Sequence, residues 1–124
     1  MSDTSFHEPP ELLSEETRDL HRGIVSLCEE LEAVDWYQQR AEACIDKELR
    51  AVITHNKNEE IEHAMMLLEW IRRHDSAFDA NMAKYLGGTG PIIAIEASSG
   101  GEDPNSTSTP TGDSLGIGTL RGSK

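Results

Sequence analysis

Apolar positions recur at helical spacing over two long stretches of this chain. Leu20, Ile24, Leu27, Leu31 and Val34 step by four and three, which is the seam of a bundle or coiled-coil helix. Leu49, Ile53, Asn56, Glu60, Leu67 and Trp70 step by three, four or seven, the period of one helical face. The pattern predicts a first helix beginning at Glu11 or Ser14 and running to about Cys44, and a second from about Lys47 to about His74. Ser14 can cap the first, with Glu15 and Glu16 in a turn where the helix dipole favours anions. Asp46 lies between the two and can cap the second. A turn that short makes the pair an antiparallel hairpin. Phe78, Met82 and Tyr85 then mark a short third helix over residues 76–86, broken by Gly87-Gly88. Pro91 opens a last short run to Ala97 that suits a helix start.

Glu60 stands near the middle of the apolar stripe of the second helix, and His63 follows at i+3. A carboxylate there is costly unless it is paired or holds a metal. Glu-x-x-His on a bundle helix is the half-site of ferritin-like di-iron proteins, although short matches also arise by chance on solvated acidic faces. Glu30 borders the seam of the first helix. It lies about fourteen positions before the turn and Glu60 about fourteen after it, so an antiparallel hairpin brings them to one level. Glu29, Glu32 and Trp36 form a second set on another face. His55 and His63 are not joined by a His-Glu-x-x-His, so a zinc-protease site is excluded. His55 reads as a surface or interface residue, and His21 and His74 as ordinary helix residues.

Composition narrows the partners. The 124 residues carry a formal net charge of −12, which argues against nucleic acid and anionic membrane and is compatible with cations. No apolar run approaches a membrane span and no basic-then-apolar leader opens the chain, so a cytoplasmic location is expected. Cys28 and Cys44 read as small packing residues without a redox or zinc role. The organisation expected is a polar arm over residues 1–10, a helical domain over 11–97, a disordered Ser/Gly/Thr/Pro linker over 98–113, and a terminal segment over 114–124. Leu115, Ile117 and Leu120 are apolar residues on a tether without a core, the pattern of a segment that docks in a groove of another protein.

A ferritin-like site needs four helices, and this chain supplies one of each ligand type. The fold class expected is therefore all-α: an antiparallel two-helix hairpin plus a short C-terminal helix, half of a four-helix bundle completed by dimerisation. Two copies of Glu30, Glu60 and His63 would hold two metal ions across a two-fold axis. Carboxylates with one imidazole per metal suit iron, and the reaction expected is oxidation of Fe(II) by oxygen. Manganese or a mixed-metal oxidase on the same scaffold, and a non-catalytic acidic adaptor, are the alternatives.

The stretch Glu29-Glu30-Leu31-Glu32-Ala33-Val34-Asp35-Trp36-Tyr37, then His55-Asn56, Glu59-Glu60, Glu62-His63 and Leu68-Glu69-Trp70, resembles the encapsulated ferritins. The terminal Leu115-Gly116-Ile117-Gly118-Thr119-Leu120-Arg121 looks like the peptide that loads cargo into encapsulin shells. The resemblance implies a ferroxidase whose di-iron centre lies between two subunits. Glu30, Glu60 and His63 would be its ligands, with Tyr37 close by. Glu29 and Glu32 would form the site where iron enters, with Trp36 beside the passage. It further implies a ring of dimers, a decamer, that oxidises iron for storage inside the encapsulin nanocompartment in the cytoplasm.

Overall fold

The structure, a computed structural model, describes residues 5–100 and is helical throughout its regular elements. A single 3-10 turn, Pro10–Leu12, precedes α1 (Glu15–Ala43), α2 (Lys47–His74), α3 (Ser76–Tyr85) and α4 (Ile92–Gly100). Two compact units divide the chain, one ending at His74 and the other beginning at Asp75.

Capping groups set the ends of α1 and α2. Ser14 Oγ accepts from the Thr17 backbone N–H at 3.1 Å, so α1 begins at the later of the two expected starts, the Pro10 turn having ended at Leu12. Asp46 Oδ1 accepts from the Leu49 N–H at 2.8 Å, the capping role expected of it. The Arg50 guanidinium reaches back to the Cys44 carbonyl, its Nε at 3.0 Å. That carbonyl is one of the groups a helix end leaves without an intrahelical partner. At the far end of α2, Arg72 and Arg73 both grip Glu69 and hold its carboxyl at about 2. The described part of the N-terminal arm, residues 5–10, is pinned to α1. Phe6 stacks on His21 with ring centroids 4.3 Å apart, and Arg18 donates to the Pro10 carbonyl at 2.8 and 3.1 Å.

Three cross-pairs fix the register of the hairpin. Gly23 lies against Trp70 and Ile71, Glu30 against His63, and Gln38 against Lys57. Successive pairs advance by seven and eight residues on α1 and retreat by seven and six on α2, as antiparallel helices require. The seam that results runs Gly23, Leu27, Glu30, Val34, Tyr37, Ala41 on α1, and Ile53, Lys57, Glu60, Ala64, Leu67, Ile71 on α2. Every member is buried or half-buried. This corrects the apolar rows read from the sequence. Ile24, Leu31, Leu49 and Asn56 are exposed. The α1 row is offset because its deepest positions are small, Gly23 and Ala41, where the backbones approach. On α2, Leu49 lies in the first turn of the helix, before Ile53, the first residue of the seam. Cys28 and Cys44 are free, partly exposed thiols rather than buried ones.

The second unit is short. Asp75 Oδ1 caps α3 by accepting from the Ala77 and Phe78 N–H groups, both at 3.0 Å. Gly87, at φ +78°, ends it in the left-handed conformation that suits glycine. Ile95 of α4 packs near Gly88. Helix α4 continues to Gly100, three residues beyond the expected boundary at Ala97. The remainder of the expected linker, and the 114–124 segment with Leu115, Ile117 and Leu120, lie outside the described residues.

Candidate metal centre

The two helices place one carboxylate each at the centre of the seam. Glu30 is a seam position of α1 between Leu27 and Val34. Glu60 is a seam position of α2 one turn before Ala64, whose side chain is too small to shield it. His63 flanks Glu60 at i+3, so its ring lies over the preceding turn. One ligand atom from each of Glu30, Glu60 and His63 falls within 4.8 Å of the others. His63 Nδ1 is 3.2 Å from Glu60 Oε1 and 3.7 Å from Glu30 Oε1. The carboxylates are about three-quarters buried, at 27% and 24% side-chain exposure, while the imidazole is 42% exposed. The group therefore sits in the hairpin with one side open.

The protonation pattern is that of a crowded anionic site. Glu30 is held above the ordinary carboxylate range, chiefly by its hydrogen bond with Glu60, then by burial and the Glu60 charge. Glu60 is held below that range by the same hydrogen bond and by His63. Of the two acids, Glu30 is the one that the site favours to hold a proton. His63 is pushed upward, first by its hydrogen bond to Glu60 and then by the Glu30, Glu60 and Glu59 charges, against the opposing effect of burial. Such a site holds protons that a metal ion would displace.

The other expected residues lie elsewhere. Glu29 is exposed and Glu32 half-exposed, and neither joins a group of three close ligand atoms among the described residues. Trp36 is 49% exposed on the outer side of α1. The Arg40 guanidinium lies over the Trp36 ring at 6.0 Å and over the Tyr37 ring at 5.8 Å. Tyr37 is a seam residue two turns along α1 from Glu30. His55 is exposed, 3.9 Å from Glu59, the surface placement expected. Sequence reading overlooked Lys57, a seam residue one turn from Glu60. The seven-residue step from Lys57 to Ala64, continued to Ile71, is the signal that would have found it.

Comparison with known proteins agrees with this geometry. A family model described as EncFtn-like matches residues 5–88. An encapsulated ferritin-like protein of Rhodospirillum rubrum is 50% identical over 98% of this chain and 91% of its own length. A ferritin-like protein of Thermotoga maritima is 43% identical over 90% of this chain and 94% of its own. The crystal structure of a protein from Nitrosomonas europaea, 60% identical, superposes with a TM-score of 0.69 over 71% of this chain and 97% of that one. The family match over residues 5–88 and the identity to these relatives show that the chain belongs to the encapsulated ferritin family.

Proposed function

We propose that the protein is a ferroxidase that oxidises Fe(II) at a di-iron site formed between two copies of the chain and supplies Fe(III) for storage within an encapsulin shell. The observation that carries this reading is the convergence of Glu30, Glu60 and His63 on one open point of the hairpin. Their donor set fits iron: hard carboxylate oxygens with one imidazole. Three donors are too few for two metal ions, whereas a second copy doubles them. Exposed Leu31, Leu49, Val52, Met65 and Met66 offer apolar surface for such a copy to cover.

Iron is the substrate here. Each Fe(II) gives up one electron, and molecular oxygen takes up the electrons together with protons. The chain's own residues bring two ions together, neutralise them and stabilise the higher charge of the ferric product. Iron binding favours the ionised form of both Glu30 and Glu60. Glu29 and Glu32 concentrate cations on the outer side of α1, and Trp36 stands beside that approach. Tyr37 lies on the seam two turns along α1 from Glu30.

Anaerobic addition of Fe(II) followed by oxygen tests the reading through ferric absorbance. Wild type should oxidise iron rapidly, and Glu60→Ala should slow the reaction by roughly a hundredfold, the scale for losing a group that stabilises developing charge. Equal slow rates in both would make Glu60 and His63 structural, and the chain an acidic adaptor. The shell assignment has its own test. Deleting residues 114–124 should abolish co-purification with a co-expressed encapsulin while leaving iron oxidation intact, and undiminished loading would remove that part of the reading.

A further inference from the structure

Among the described residues, the seam that joins α1 and α2 contains a single basic residue, Lys57. It stands one turn from Glu60, about 4.5 Å along the helix axis, on the same row. At i,i+3 its side chain could swing onto the Glu60 carboxylate. Instead its ammonium crosses the hairpin and donates to Gln38 Oε1 of α1 at 2.8 Å. The Glu60 oxygens are left to His63 and Glu30. The cation is therefore held at Gln38, from a position one helical turn before Glu60, without occupying a ligand.

We propose that Lys57 is a positioning residue for iron turnover: its ammonium, tied to Gln38, weakens the hold of the Glu30–Glu60–His63 site on cations and speeds departure of the ferric product. The inference rests on the ferroxidase reading. Repulsion between fixed charges scales with the product of the charges. Lys57 therefore acts half as strongly again on Fe(III) as on Fe(II), so it disfavours product more than substrate. Lys57 is half-buried in the seam, and its bond to Gln38 ties the exposed ammonium to α1. Gln38 supplies a neutral acceptor, so the charge is aimed but not cancelled.

The experiment uses the full chain in its assembled form, with Lys57→Met, Lys57→Arg and Gln38→Met. Anaerobic Fe(II) titration by calorimetry should show Lys57→Met binding roughly three- to tenfold more tightly than wild type, the scale of one screened charge near a site. Steady-state oxidation should show KM for Fe(II) falling by a similar factor. Turnover should also fall, while the first-turnover rate is not slowed. Lys57→Arg should restore wild-type affinity and turnover. Gln38→Met breaks the tie but keeps the charge, so its shift should be smaller. Unchanged affinity and turnover in a folded Lys57→Met protein would overturn the proposal. So would equal effects of Lys57→Met and Gln38→Met, which would make the hydrogen bond a structural tie only. A wild type that binds Fe(II) but does not oxidise it would sink the ferroxidase reading, and the affinity comparison would still decide the role of Lys57.

Discussion

Gly23→Leu should cost the hairpin most of its stability, lowering the thermal midpoint by about 10 °C or more. Gly23 is buried, and a Cβ placed there would lie 3.3 Å from Trp70 Cε3 and Cζ3 and 3.5 Å from Ile71 Cγ1. A single methyl presses on the indole by a few tenths of an ångström, and glycine in a helix gives away about 1 kcal/mol relative to alanine. Those effects oppose each other, so Gly23→Ala should leave the midpoint within about 4 °C. Leucine adds three further carbons where indole and isoleucine already stand. Overpacking of that kind costs about 1–3 kcal/mol and more where backbones must part. Among the described residues only Ala41, Ala64 and Ile71 form the buried apolar core, so little remains to absorb the loss. Each kcal/mol moves the midpoint of a domain this size by about 4–8 °C. Circular dichroism melts of both variants decide it, and a Gly23→Leu midpoint equal to wild type would show that the helices do not approach at this point.

Glu30→Gln should leave the metal-free protein about as stable as wild type and abolish its stabilisation by metal. Glu30 is raised above its ordinary range chiefly by its hydrogen bond with Glu60, and a glutamine amide can donate a hydrogen bond to the Glu60 carboxylate. The substitution also removes the like-charge repulsion that appears when both acids ionise. The metal-free midpoint should therefore stay within about 3 °C. A bound cation stabilises the folded state by about 2.7 kcal/mol at a hundred times its dissociation constant. Wild type should gain accordingly on anaerobic Fe(II) addition, whereas the variant, with one carboxylate fewer and an amide in its place, should gain nothing measurable. Thermal melts with and without Fe(II) test both halves. A variant stabilised by metal as well as wild type would remove Glu30 from the site.

The long helices were legible because their boundaries rest on local chemistry. Ser14 and Asp46 cap α1 and α2 as their side chains and positions suggest, and no proline interrupts residues 11–90. The level match of Glu30 with the Glu60–His63 pair was legible for the same reason, since a short turn fixes the register of an antiparallel pair. The seam itself was misplaced. An apolar pattern marks large side chains, whereas the line of closest approach runs through Gly23, Ala41 and Ala64, which carry almost none. Glu30 therefore sits on the seam rather than at its border, and Lys57, which an apolar pattern does not mark, is part of it. The pinning of the arm by Phe6 on His21 depends on a contact fifteen residues apart in sequence, and neither residue has a local signal for it.

The two tryptophans occupy settings that make them separate optical reporters. Trp70 is wedged against Gly23 across the seam and stacked on His74, with ring centroids 4.0 Å apart. Its emission should follow closure of the hairpin. Trp36 is half in solvent under the Arg40 guanidinium, so its emission should be redder and respond to ions gathering on the outer side of α1. Replacing either ring by phenylalanine would leave a protein whose remaining signal follows one event alone, folding from Trp70 or cation arrival from Trp36.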